Sequence, residues 1–325
     1  GGPRGRVDLV VEVDPIARYE VSGGVGYATD TGAGVNGAFS DRLSGPGTHS
    51  WEVRADLAER ERAGAIVYGL PGRDTATVWA LEAGGGSTLT DTSEETRWGG
   101  GIRRRTELDE RLARTLHLEL TGSDFSIGDG PTRFGTFLVA GVHWTLDRTD
   151  GVARLPAGMR ASLDLSIAAE ALLSDTDLAH ARGRVEYAWR LNDRTRVRTR
   201  LEAGALSTGA FEALPPTWRF FAGGDDSVRG FDREALGPQV DGTVRGGRYL
   251  LEGTVELERI VWRNWGAAVF LDAGNAFDDR GDADVRTAAG VGLRWFSPIG
   301  TIRADVARPL DDGDVRLHLT LGRTF

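Results

Sequence analysis

The sequence predicts an all-β protein, a 16-stranded antiparallel transmembrane β-barrel with a long inward-folded loop between strands 11 and 12. Four observations carry that expectation. From Ala17 to the C-terminus apolar and polar residues alternate at period 2, and turn residues interrupt the pattern every 15–25 residues. The polar faces hold Arg and Glu over whole strands, which suits a wide wet lumen. Trp51, Trp79, Trp98, Trp144, Trp189 and Trp295 all fall on the apolar faces, where a bilayer barrel carries its interfacial aromatics. Finally, no apolar run is long enough for a transmembrane helix. The mean hydropathy of −0.27 does not argue against a barrel, because every second residue of one faces a polar lumen. A soluble sandwich would alternate too, but only closure removes the sheet edges that a bilayer does not tolerate.

Composition narrows the class. The chain has 46 Gly, nine Trp, no Cys and one Met, Met159. It lacks an initiating Met and a secretory apolar segment, and so reads as a mature form or an excised fragment. All 39 basic residues are Arg, yet the net charge is −9 and no basic stripe forms, which excludes a nucleic-acid binder.

The elements follow in order. Arg6–Asp14 sets Val7, Leu9, Val11 and Val13 against Asp8 and Glu12, one strand with a dry face that Pro15 ends. Barrel strands then start with Ala17–Tyr27, which puts Tyr19, Val21, Val25 and Tyr27 on one face, and Gly34–Asp41. His49–Glu59 sets Trp51, Val53, Ala55 and Leu57 against Glu52, Arg54 and Asp56. Ala63–Leu70, Thr75–Gly86, Glu94–Arg105, Leu112–Gly122 and Arg133–Asp147 continue the alternation. Gly158–Glu170, Asp177–Arg190 and Thr195–Leu206 do so with Arg-rich polar faces in the last two. Gly247–Val261, Asn264–Phe277, Val285–Phe296, Thr301–Arg308 and Val315–Phe325 complete the 16.

Trp218–Pro238 (WRFFAGGDDSVRGFDREALGP) interrupts this pattern. It is too long for a hairpin turn and too apolar for a surface loop; Phe220, Phe221, Val228 and Phe231 need something to pack on. Gly223, Gly224 and Gly230 allow tight backbone at its tip. Arg229 would need carboxylates if it entered the lumen, and Arg forks onto carboxylates better than Lys. Asp272 in FLDAGNAF and Glu256 in GTVELE fall on the lumen faces of adjacent strands. A phosphate-binding reading of the glycines fails, because no helix follows and Asp225 and Asp226 would repel an anion. The five histidines (His49, His117, His143, His180, His318) lie on five strands without ligand spacing. No catalytic constellation and no metal site emerge.

Ser227–Phe231 (SVRGF) resembles the loop-six signature of the BamA/TamA superfamily of outer-membrane protein-assembly barrels. Within it, Val25–Gly32 (VGYATDTG), Leu214-Pro215-Pro216 and the terminal HLTLGRTF are similar to the TamA subfamily. The resemblance implies a motif of Val228, Arg229, Gly230 and Phe231 on a loop six of about residues 207–245, with Arg229 paired to Asp272 and Glu256. It implies that residues 1–15 end the last periplasmic POTRA domain and that residues 16–325 form an integral barrel of the bacterial outer membrane. Counted from a periplasmic start, the turns at Pro71–Asp74, Asn192–Arg194, Arg263 and Ser297–Gly300 are then periplasmic, and Ser207–Arg245 is extracellular.

The implied function is insertion or secretion of β-barrel clients, autotransporters among them, with no cofactor and no enzymatic step. A TamB-like inner-membrane-anchored partner is implied, together with contact to membrane lipid and lipopolysaccharide. The working part would be a lateral seam between the first and last strands, formed by Tyr19, Val21, Gly23, Gly24 and Gly26 against Leu317, Leu319, Leu321 and Phe325. Glycines weaken a strand, which suits a seam that opens. Phe325 resembles the assembly signal of outer-membrane barrels, from which Arg323 departs. Alternatives are a BamA-type general assembly factor, a two-partner secretion pore and, in another class, a passive diffusion porin.

Overall fold

The computed structural model describes residues 17–44, 49–151, 154–279, 281, 283–297, 300–311 and 313–321. The Arg6–Asp14 stretch and Phe325 lie outside the described residues.

Period-2 alternation lets a strand satisfy two solvents at once, and here it does so in 16 consecutive antiparallel strands closed into a barrel. The first eight are β1 (Tyr19–Ala28), β2 (Gly32–Asp41), β3 (Ser50–Ala58), β4 (Glu61–Pro71), β5 (Thr77–Leu89), β6 (Ser93–Glu107), β7 (Leu112–Ile127) and β8 (Arg133–Thr149). Then come β9 (Gly158–Ala168), β10 (Leu178–Asn192), β11 (Thr195–Thr208), β12 (Tyr249–Trp262), β13 (Trp265–Phe277), β14 (Arg286–Ser297), β15 (Gly300–Pro309) and β16 (Arg316–Leu321). Every expected barrel strand is present, and several run longer: β7 extends to Ile127 and β5 to Leu89.

The burial is the reverse of a soluble protein. Val21, Val25, Val53, Val255, Leu271 and Val291 stand exposed on the outer face. Arg294, Glu256, Asp272 and Glu202 are fully buried inside. The apolar core lies within the lumen, where Phe211, Leu214, Phe220, Ala222, Val228 and Leu236 of the loop between β11 and β12 pack on Phe137, Val139, Leu178, Leu206 and Leu250 of the wall. Trp218 and Phe231 pack against that cluster. The long loop therefore folds inward, and it carries a two-residue ladder of its own, Gln239–Val240 with Thr243–Val244.

The two rims differ. Tight turns join β10 to β11 and β12 to β13, with Arg263 in left-handed backbone at φ 45°. The long loop and the β9–β10, β13–β14 and β15–β16 connections lie at the other rim, although the first three hairpins there are also short. Trp51, Trp79, Trp144, Trp189, Trp262, Trp265 and Trp295 sit toward the tight-turn rim; only Trp98 of the expected set stands near the other. Trp265 stacks on Trp295 at 5.9 Å, and Arg104 and Arg263 lie over Trp79 and Trp262 at 5.4 Å and 5.0 Å. Indole rings with cations over them match an interface between hydrocarbon and headgroups.

Val255 stands midway along β12 on the outer face, whereas Asn36 lies on the wet inner face of β2. Val255→Arg should cost about 2–4 kcal/mol in a urea refolding titration into bilayers, and Asn36→Arg about 0–1 kcal/mol. Equal costs would overturn the facing of the two strands.

Candidate functional site

The inward loop presents Arg229 to the β12–β15 wall. Gly230 follows it at φ 99°, a left-handed conformation in which an added Cβ would come within 3.1 Å of Ala288 Cβ. Only glycine passes the chain this close to the wall. Val228 is fully buried in the apolar cluster, so the residues on both sides of Arg229 are pinned.

Arg229 is 4% exposed. Its Nε and Nη2 donate to Asp272 Oδ2 and Oδ1 at 2.8 Å and 3.0 Å, a bidentate fork, and its backbone N–H donates to Asp272 Oδ2 at 3.1 Å. Nη1 donates to Glu256 Oε2 at 2.7 Å and to Asp305 Oδ2 at 3.1 Å. The guanidinium lies 3.4 Å above the Phe270 ring, which replaces water on that face.

The wall is itself an ion network. Arg294, fully buried on β14, donates to Glu256 at 3.1 Å, to Glu258 at 3.3 Å and to Asp305. Arg196 binds Glu258, and Arg198 stands 3.7 Å from Glu256. Four carboxylates (Glu256, Glu258, Asp272, Asp305) thus meet four guanidiniums (Arg196, Arg198, Arg229, Arg294). The expected set held Arg229, Asp272 and Glu256. Asp305, Phe270 and Arg294 were missed, though each falls on the lumen parity of its strand between outward-facing neighbours.

Other parts of the loop are fixed separately. Arg219 donates to the Leu214 and Arg245 carbonyls at 2.9 Å and 3.0 Å, and Thr217 N–H donates to Glu95 on β6 at 3.1 Å. Arg200 Nη2 donates to the Ser227 carbonyl at 2.6 Å, while the Ser227 hydroxyl donates to Glu252.

The structure supplies the register of the seam over the described residues. Tyr27 faces Leu321, Ala28 faces Thr320, and Thr29 N–H donates to the Leu319 carbonyl at 3.0 Å. Leu319 N–H donates back to Thr29 Oγ1 at 2.8 Å. Leu319 and Leu321 therefore take part, and Gly26 lies beneath them, where an added Cβ would come 3.0 Å from the Leu321 carbonyl. Among the described residues Tyr19, Val21, Gly23 and Gly24 pair only with β2, and Leu317 pairs only with Val306 of β15. The described seam lies at the long-loop end of β1, well away from Val21. Alternation tells which face a residue takes but not which residue stands opposite, so register had to come from closure.

A closed 16-stranded barrel with this loop inside matches known architectures. The model of the Omp85 superfamily domain matches residues 72–325. The chain belongs to the Omp85 superfamily. It is an integral barrel of the bacterial outer membrane. A curated relative, the outer membrane protein assembly factor BamA of Nitratidesulfovibrio vulgaris, is 29% identical over 149 residues, which are 42% of this chain and 18% of that protein. Among solved structures, BamA from Haemophilus ducreyi lacking POTRA domains 1–3 aligns with a TM-score of 0.82 at 17% identity, covering 95% of this chain and 70% of that one. CdiB from Escherichia coli aligns with a TM-score of 0.62 at 15% identity, covering 96% and 64%. At these identities the two structures establish the shared fold. These comparisons do not reach the TamA subfamily.

Removing the Arg229 side chain strands Asp272 in a place with little water and takes one of three guanidinium partners from Glu256. Arg229→Ala should cost about 3–5 kcal/mol and make the loop protease-sensitive. Arg229→Lys should restore part of the resistance, because one ammonium cannot fork onto Asp272 and reach Glu256 together. Unchanged protease resistance in the alanine variant would refute the lock.

Proposed function

We propose that this barrel inserts or translocates β-rich outer-membrane clients by parting β1 from β16. The seam carries the reading. β1 is paired with β2 along its whole length, from Tyr19–Asp41 to Ala28–Gly32, while the described pairing with β16 is confined to Tyr27 and Ala28 and their neighbour Thr29. A terminal strand that stays paired with β2 can, once parted from β16, present the freed backbone groups to an incoming strand, which adds by β-augmentation. Gly23, Gly24 and Gly26 lower the cost of deforming β1. The arginine lock would keep the loop in place while the seam works, so that the lumen stays filled. No step of this kind needs a catalytic group or a cofactor. The curated relative from Nitratidesulfovibrio vulgaris is named as an assembly factor, which supports the assembly half of the reading.

The finer reading is TamA-like and rests on Val25–Gly32, Leu214–Pro216 and the terminal HLTLGRTF. It makes autotransporters clients, a TamB-like inner-membrane-anchored protein the partner, residues 1–15 the end of a POTRA domain, and lipid and lipopolysaccharide the surroundings. The tight-turn rim would then face the periplasm.

Joining the seam tests the mechanism. The chain has no native Cys, so a Tyr27→Cys/Leu321→Cys bridge is the only one that can form. The oxidised barrel should stay folded but fail to assemble a β-barrel client in proteoliposomes, and reductant should restore assembly. A bridge between the paired interior positions Ala161 and Val185 controls for stiffening. A passive pore would be indifferent to both bridges. Assembly at the reduced rate with the seam oxidised would rule out lateral opening.

A further inference from the structure

The tip of the inward loop touches both sides of the seam. Asp225 accepts a hydrogen bond from His318 Nδ1 on β16 at 2.6 Å. Its backbone N–H donates to Asp30 Oδ2, in the turn after β1, at 2.7 Å, and Asp30 N–H reaches back to Asp225 Oδ2 at 3.4 Å. His318 Nε2 accepts from Gly230 N–H at 2.9 Å. That bond leaves the imidazole proton on Nδ1, facing Asp225, and so defines the tautomer. His318 and Asp225 side chains are 5% and 7% exposed, so the contact is shielded from water. Gly224 makes the approach feasible: its φ is 108°, and an added Cβ would stand 2.5 Å from Asp30 Oδ2.

We propose that Asp225 is a clasp across the seam, holding the turn after β1 through Asp30 and β16 through His318, so that the strands part only when the loop tip releases one of them. The inference rests on the seam reading above and names what controls it. It is separate from the Arg229 lock, which ties the loop to β12, β13 and β15, strands on one side of the seam. The neighbouring pairs Arg316–Asp232 and Arg303–Asp226 involve exposed groups and contribute little. Carboxylate and imidazole atoms of Asp30, Asp225 and His318 lie within 4.8 Å of one another, a spacing that a cation could also bridge. With Nε2 accepting from Gly230 N–H and Nδ1 carrying the proton, His318 has no free lone pair for a cation, which makes the clasp a hydrogen-bonded one. Burial, and then the charge of Asp225, push the Asp30 carboxyl up to about 6. Asp30→Asn keeps the acceptor for Asp225 N–H and removes a like charge, and should hold the seam at least as well as Asp30.

The test is hydrogen exchange of the Thr29 and Leu319 amides in nanodiscs, read beside the Val228–Phe231 amides and those of β5 and β6. In Asp225→Ala, exchange at Thr29 and Leu319 should accelerate about fivefold to thirtyfold, the loss of one or two shielded hydrogen bonds, with the other amides unchanged. Asp225→Asn, which keeps one acceptor oxygen for His318 and the backbone N–H for Asp30 but loses the second acceptor, should accelerate it less. That variant gives the same readout if the alanine variant does not fold. Asp30→Asn should not accelerate it, and EDTA or added Zn²⁺ should change nothing. Unchanged exchange at Thr29 and Leu319, acceleration that spreads to Val228–Phe231, or sensitivity to EDTA would each overturn the clasp. If Asp225→Ala accelerates exchange while the Tyr27–Leu321 bridge leaves client assembly intact, the seam mechanism fails and the clasp stands. If the bridge blocks assembly and exchange does not respond, the clasp fails and the mechanism stands.

Discussion

A guanidinium taken out of water inside a protein must find its counter-charges within hydrogen-bonding distance, because an unpaired charge there costs more than folding can offset. Arg229 meets that constraint with a fork onto Asp272, single bonds to Glu256 and Asp305, and an aromatic face at Phe270. The carboxylates face the same constraint and need Arg294, Arg196 and Arg198 in return. Because the loop contributes one of these charges, loop and wall are electrostatically complete only together. A long loop between β11 and β12 thereby becomes part of the barrel interior.

This divides the lumen. On the β8–β15 side the loop brings its apolar residues to the wall and forms a dry core. On the β3–β7 side, the pairs Arg54–Glu82 and Arg103–Glu119 remain partly exposed, and a cavity of about 340 Å³ lies between them and the loop, bordered by Trp218. These pairs are partly solvated, and individually they contribute little. One half of the barrel is stiffened by packing, and the other is held mainly by its backbone ladder.

The seam falls where these halves meet. β16 belongs to the packed side through His318 and Gly230, and β1 to the open side. The proposed opening there would leave the dry core and the ion network intact. Besides Leu319 of β16, the loop tip reaches over to the turn after β1, through Asp225 and Asp30. On the proposed mechanism, rigidity on one side would let a closed membrane barrel, which abolishes edges, make one temporarily.

Side-chain alternation is a local property of the extended chain, so sixteen strands, their inner and outer faces and the bilayer aromatics were legible in the sequence. The position of the inward loop was legible too, because its aromatics suit neither water nor a hairpin, and the family resemblance of SVRGF pointed to Arg229 with Asp272 and Glu256. Tertiary structure decided what depends on alignment between distant strands. A two-residue slip along the strands changes no local pattern, so the sequence could not show that Tyr27 faces Leu321. Nor could it show that Asp305, Arg294 and Phe270 complete the lock. His318 read as an ordinary polar-face residue; only barrel closure brings it within 2.6 Å of a loop residue 93 positions away.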